Sequence, residues 1–127
     1  MDWIVLTLIG AGASFFFLFN RGTLAPESKA KDWILKGAKV IDVRTEDEYR
    51  QQHLPGTLNV PLDKLRAQIP HEAPDKDAVL LLHCVAGGRS AIGCRTLKQM
   101  GYRKCYNLGS YRRAERILGS VPQASVA

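Results

Sequence analysis

Cysteine is scarce in this 127-residue chain: there are three, an odd number, and no pair stands at zinc-site spacing. A disulfide framework is therefore not what holds the fold, and a reducing compartment suits the chain best. Internal repeats and low-complexity tracts are missing, which excludes solenoids and long disordered spacers. Acidic residues all but vanish after Leu82. From His83 onward eight basic residues stand against Glu115 alone, whereas the first 82 residues hold ten basic and eleven acidic, giving a net +6 overall. No aromatic platform or nucleic-acid motif accompanies these arginines, so no nucleic acid partner is expected. A positive field of this kind draws small anions or anionic lipid instead.

Charge is also absent from Trp3 to Phe19, a run of 17 residues that is almost wholly apolar. About 17–25 residues are needed for a spanning helix, so the run is just long enough. A cleaved signal peptide should begin with basic residues, yet Asp2 is the only charged side chain before Arg21. Residues 1–21 are therefore read as a retained transmembrane helix, with Trp3 and Arg21 at its two interfaces. Arg21, Lys29 and Lys31 follow the run and nothing basic precedes it. The positive-inside tendency then places the remainder on the cytoplasmic side of an inner or plasma membrane. A linker over 22–29, one domain over 30–119 and a short tail over 120–127 complete the division. About a hundred residues beyond the anchor suffice for one small domain with an aliphatic core.

Hydrophobic patterning within the domain alternates strands with helices. A helix from Glu27 to Lys36 should stop at Gly37. A strand follows over Val40–Val43, then a capping box at Thr45–Glu48 that opens a helix to Gln52. Leu58–Val60 reads as a short strand and Leu62–Gln68 as a helix opened by Pro61. Ala78–Leu82 is an apolar strand, and the helix after it begins at Ser90 and ends at Gly101. Lys104–Asn107 and Tyr111–Leu118 are the last strand and helix. Such alternation predicts an α/β fold: a small parallel sheet with helices on both faces. Ligands of such sheets sit at the carboxyl ends of the strands.

One of those ends carries the most informative run in the chain, His83-Cys84-Val85-Ala86-Gly87-Gly88-Arg89-Ser90. A cysteine at a strand tip, a loop with two adjacent glycines and a following helix bring backbone N–H groups and a helix N-terminus to one point. Arg89 adds a full positive charge. Each favours the thiolate of Cys84 over the thiol, and the thiolate is the nucleophile.

Cys-(x)4-Arg followed by Ser resembles the active-site loop of rhodanese-like sulfurtransferases. Cysteine-dependent phosphatases of similar design carry five residues between the cysteine and the arginine. The resemblance extends to Val40-Ile41-Asp42-Val43-Arg44, Glu48-Tyr49, His53-Leu54-Pro55-Gly56-Thr57 and Asn59-Val60-Pro61, in the family's order, and covers about residues 30–118. Leu108-Gly109-Ser110 departs from the usual Leu-Gly-Gly, and Tyr111-Arg112-Arg113 stands where the family commonly has Trp.

The resemblance implies a sulfurtransferase in which Cys84 takes the outer sulfur of thiosulfate as a persulfide and passes it to a thiol or cyanide. It assigns Cys84 as catalytic. Val85, Ala86, Gly87, Gly88 and Ser90 cradle the sulfur through their N–H groups, Arg89 binds the sulfonate, and Ser90 caps the helix. No metal or organic cofactor is called for, and the protein partner is left open. Two alternatives stand beside it: a non-enzymatic docking module at the membrane, and a phosphatase or arsenate reductase of the same fold. Among the remaining residues, His83, Asp42, Arg44 and His53 are expected to be structural. Cys94 is expected in the core rather than as a resolving thiol, and Cys105 in a buried strand.

Overall fold

A computed structural model of the chain describes residues 24–122. The expected membrane anchor lies outside the described residues, as does most of the expected tail. Among the described residues no helix is long and apolar enough to cross a membrane.

The elements follow in the order α1 (Glu27–Leu35), β1 (Lys39–Asp42), α2 (Glu46–Gln51), β2 (Leu58–Asn59), a 3-10 turn (Leu62–Lys64), α3 (Leu65–Glu72), β3 (Leu80–His83), α4 (Gly88–Gln99), β4 (Cys105–Gly109) and α5 (Tyr111–Gly119). All strand pairs are parallel, in the order β2-β1-β3-β4. Parallel strands need crossover helices, and these cover both faces of the sheet. On one face Leu80, Leu82 and Ile41 meet Leu65 and Ile69 of α3 and Leu97 of α4. On the other, Leu81 and Val40 meet Ile34 of α1 and Ile117 of α5. The alternation of neighbours along β3 is the period of two expected of a strand buried on both sides. The order reverses between β1 and β3, which opens a crevice at their carboxyl ends. Cys84 directly follows β3 there.

Local chemistry accounts for most element ends. Thr45 accepts from the Glu48 N–H while the Glu48 carboxylate accepts from the Thr45 N–H, completing the capping box of α2. Helix α3 differs from expectation, since it runs through Pro70 to Glu72. The lost donor of Pro70 is tolerated because Ile69 and Ala73 are buried and the Tyr102 hydroxyl donates to the Ala73 carbonyl at 2.7 Å. Helix α1 begins inside the segment expected as linker. Leu24 bridges to Asn107 and the Ala25 N–H donates to the Asn107 carbonyl at 2.9 Å, so this part of the segment 22–29 lies against the edge of the sheet. Gly93 lets α4 approach β3: a Cβ there would stand 2.8 Å from Leu82 Cδ2.

At the end of β1, Asp42 and Arg44 form a buried ion pair. The Arg44 Nε and Nη2 atoms both donate to Asp42, at 2.8–3.0 Å, and Nη2 also donates to the Gln52 carbonyl. The Arg44 guanidinium lies 4.9 Å from the Tyr111 ring centre. These contacts tie the ends of β1, α2 and α5 together, the structural part expected of both residues. Arg44→Met strands a fully buried carboxylate and is expected to cost about 3–5 kcal/mol. Adding Asp42→Asn should return part of that loss, as read from urea unfolding.

Candidate active site

Cys84 is buried, and its N–H donates to the Gly109 carbonyl at 3.2 Å, which locks the strand end to β4. The loop then turns back so that the Gly87 N–H donates to Cys84 Sγ at 3.0 Å. Gly87 has φ of 98°, and a Cβ there would also meet the Gly109 Cα at 3.3 Å. Both the backbone turn and the close approach call for glycine. Helix α4 starts at Gly88, two residues earlier than expected, so Gly88, Arg89 and Ser90 form its first turn. N–H groups of a first turn lack acceptors within the helix and remain available to an anion. A hydrogen bond from Gly87 and a helix N-terminus thus converge on one sulfur, and both stabilise a thiolate.

Ser90 does not cap α4; the N-cap is Gly87. The Ser90 hydroxyl lies 3.5 Å from Cys84 Sγ and donates to Asn107 Oδ1 at 2.6 Å. Asn107 in turn accepts from the Gly109 N–H at 2.8 Å and donates to the Gly87 carbonyl at 3.2 Å. Asn107 was not among the expected site residues. Its one signal in the sequence is a polar amide inside the apolar run Cys105-Tyr106-Asn107-Leu108, where burial demands partners.

Arg89 also behaves differently from expectation. Its guanidinium grips Glu48 through two hydrogen bonds, Nη1 to Oε1 at 2.7 Å and Nη2 to Oε2 at 3.0 Å. Arg89, with further hydrogen bonds from Thr45, holds the Glu48 carboxyl down to about 2 from an ordinary 4.5. Glu48 thus has two tasks, capping α2 and fixing the loop arginine from 41 positions away. Beside Val85 lies a cleft of about 340 Å³ lined by Arg44, Gln52, Val85, Ser110, Tyr111 and Arg112. Arg44 is engaged by Asp42, whereas Arg112 has no hydrogen bond or ion pair with any described residue. Ser110 caps α5 by accepting from the Arg113 N–H at 3.1 Å, a role glycine could not fill in this departure from the family pattern.

His83 points to the opposite face of the sheet from Cys84. It is fully buried, lies edge-on to Tyr111 at 6.0 Å, and finds no hydrogen-bond partner for either ring nitrogen among the described residues. Burial pushes its pKa down despite Asp42 at 3.8 Å, and its place on the face away from Cys84 fits the structural part expected of it. His53 makes the expected structural bond, with Nδ1 2.8 Å from the Tyr49 carbonyl. Cys94 and Cys105 both lie in the core. Among the described residues no cluster of three or more His, Cys, Asp or Glu side chains could hold a metal.

A cysteine cradled by a strand-to-helix loop at the switch point of a parallel sheet defines a class of thiol-dependent transfer domains. Residues 27–113 match the rhodanese-like domain family. The chain is 31% identical over 102 residues to the thiosulfate sulfurtransferase PspE of Escherichia coli (strain K12), covering 75% of this chain and 91% of that protein. A solved E. coli rhodanese with anions is 30% identical, with a TM-score of 0.59 over 67% of this chain and 94% of that one. The human single-domain sulfurtransferase TSTD1 shares the fold at 22% identity, with a TM-score of 0.63 over 74% of this chain and 96% of that one. The chain belongs to the rhodanese-like sulfurtransferase family.

The Glu48–Arg89 pair makes stability depend on acid in a defined window. The folded state favours the ionised carboxylate, so the contribution is complete above pH 4.5 and is lost as pH falls towards about 2. Both side chains are about a third exposed, and solvent screening limits the effect to roughly 1 kcal/mol. Urea midpoints taken at about pH 6 and about pH 3 should therefore converge in Glu48→Gln relative to the native protein.

Proposed function

We propose that this protein is a membrane-anchored sulfurtransferase that carries sulfane sulfur on Cys84 from thiosulfate to a thiol acceptor. The observation that carries the reading is the Gly87 N–H on Cys84 Sγ at the head of a helix whose first-turn N–H groups are free for an anion. The Cys84 thiolate attacks the outer sulfur of thiosulfate. A sulfur–sulfur bond forms at Cys84, the bond to the sulfonate sulfur breaks, and sulfite leaves with the electron pair. The persulfide anion then rests among the N–H groups of Val85 to Ser90, as an oxyanion rests in its hole. An acceptor thiolate takes the terminal sulfur and releases Cys84 as thiolate, which completes a double displacement. Cyanide replaces the thiol in an assay and leaves as thiocyanate.

Charge at the mouth is divided between two arginines. Arg89, neutralised by Glu48, orients the loop and presents its remaining N–H groups to the donor. Arg112, in the cleft beside Val85 and without a partner among the described residues, supplies net positive charge for the sulfonate. The domain faces the cytoplasm, held by Trp3–Phe19, a reading supported by the uncharged run and the basic residues that follow it.

Thiosulfate should add one sulfur atom to Cys84 of the purified protein, seen by intact mass and peptide mapping, and a thiol or cyanide should remove it. Cys84→Ser should not be labelled. Absence of the adduct with thiosulfate, polysulfide and protein persulfide alike would sink the reading. Arg112→Gln should raise the KM for thiosulfate several-fold, with kcat nearly unchanged.

Anchoring has its own test. The full-length chain should stay with membranes through high salt and carbonate, which strip proteins held by charge alone. Protease should cut beyond Arg21 only from the cytoplasmic face. A soluble mature protein lacking the apolar run would overturn the anchor without touching the chemistry.

A further inference from the structure

The two core cysteines that the transfer reaction leaves unused are in contact with each other. Cys105 Sγ donates to Cys94 Sγ at 3.1 Å, joining β4 to α4. Neither is bridged. Both also line a groove of about 700 Å³ along the edge of the sheet, which shares no lining residue with the Arg112 cleft. Cys94, Arg95 and Lys98 form its α4 wall, and Cys105 and Tyr106 its floor. The groove leads to the core pair, in which Cys94 is 5% exposed and Cys105 1%.

We propose that Cys94 and Cys105 are a dithiol modification site, converted to an intrachain disulfide by hydrogen peroxide entering through this groove. The sulfurs need to close by roughly 1 Å to reach bonding distance, a movement within reach of side-chain rotation. The two thiols have unequal parts. Cys94 accepts the Cys105 S–H and lies on the groove wall beside Arg95 and Lys98, as the less deeply buried of the two. Cys105 donates that bond and is more deeply buried, and both effects push its pKa strongly up. Cys94 is accordingly the attacking sulfur and Cys105 the resolving one.

The chemistry balances in two steps. Cys94 sulfur attacks one peroxide oxygen, the O–O bond breaks, and the departing hydroxide takes the Cys94 proton as water, leaving a sulfenic acid. Cys105 sulfur then displaces the hydroxyl from Cys94, and that hydroxyl leaves as a second water with the Cys105 proton. Two thiols are oxidised and one peroxide is reduced to two waters. The resulting bond ties β4 to α4, the elements whose Asn107 and Ser90 meet beside Cys84.

Full-length protein treated with peroxide, then denatured and alkylated, tests the proposal by peptide mapping. The expected result is a Cys94–Cys105 linked peptide, with both thiols lost to alkylation and recovered after reductant. Cys84→Ser, treated in parallel, should form the same link and should unfold at a higher temperature when oxidised than when reduced. Cys94→Ala and Cys105→Ala, checked for folding by circular dichroism, should each abolish both the link and the thermal shift. Free alkylation of both cysteines after peroxide, or a link from either to Cys84 in place of their own, would overturn it. Neither result bears on whether Cys84 carries sulfur.

Discussion

Asn107 must satisfy both ends of its amide where no solvent reaches, and the way it does so sets the geometry around Cys84. Its oxygen takes the Ser90 hydroxyl and the Gly109 N–H, and its nitrogen reaches the Gly87 carbonyl. Those partners come from α4, from the end of β4 and from the turn of the loop. A buried amide left half-paired costs about 1–3 kcal/mol, so the three pieces are held together by a penalty as well as by bonds. The turn at Gly87 aims its N–H at the sulfur, and the carbonyl of the same residue is what Asn107 holds. Position of the sulfur's hydrogen-bond donor is thereby fixed from β4, an element that contributes no reacting atom.

Much of this was legible in the sequence because its signals are local. The capping box at Thr45–Glu48 and the strand-loop-helix sense of residues 80–99 fall where the patterns put them, within a few residues. What sequence could not supply is partnership across distance. Glu48 reads as a helix cap, and nothing near it announces Arg89, which joins it only because α2 and α4 both begin at the crevice. Ser90 reads as a cap because serine favours that place, but the adjacent glycines let the helix start two residues sooner and turn the hydroxyl inward. The helix opened by Pro61 reads as ending at Gln68, yet the burial of Ile69 and Ala73 outweighs the bond that Pro70 cannot make. In each case tertiary contacts overrode a correct local preference.

Electrostatics around the loop follow from pairing more than from composition. The C-terminal excess of basic residues predicts a positive field, but the arginine nearest the cysteine in sequence is compensated by Glu48. Neutralising Arg89 has a structural advantage. A free guanidinium beside the thiolate would be drawn onto the sulfur and would occupy the space a donor needs. Clamped by Glu48, it is held at the rim, while the helix terminus and the Gly87 N–H face the sulfur. Net positive charge beside Val85 is then left to Arg112, which is exposed and has no hydrogen bond or ion pair with any described residue.

The three cysteines make the same point about environment. Cys84 and the pair Cys94–Cys105 share one hydrophobic cluster and are all buried, so burial alone cannot distinguish them. Burial as a rule opposes a thiolate. Only at Cys84 does the backbone answer that cost, through the Gly87 N–H and the start of α4. At Cys105 nothing does: its hydrogen goes to Cys94, and its proton is held more firmly than in water. Three buried cysteines in one cluster thus stand in different settings, Cys84 before α4, Cys94 within it and Cys105 on β4. Cys84 differs because it ends a strand at the head of α4, where unpaired N–H groups gather, and Cys94 sits in the body of that helix, where every N–H already has its acceptor.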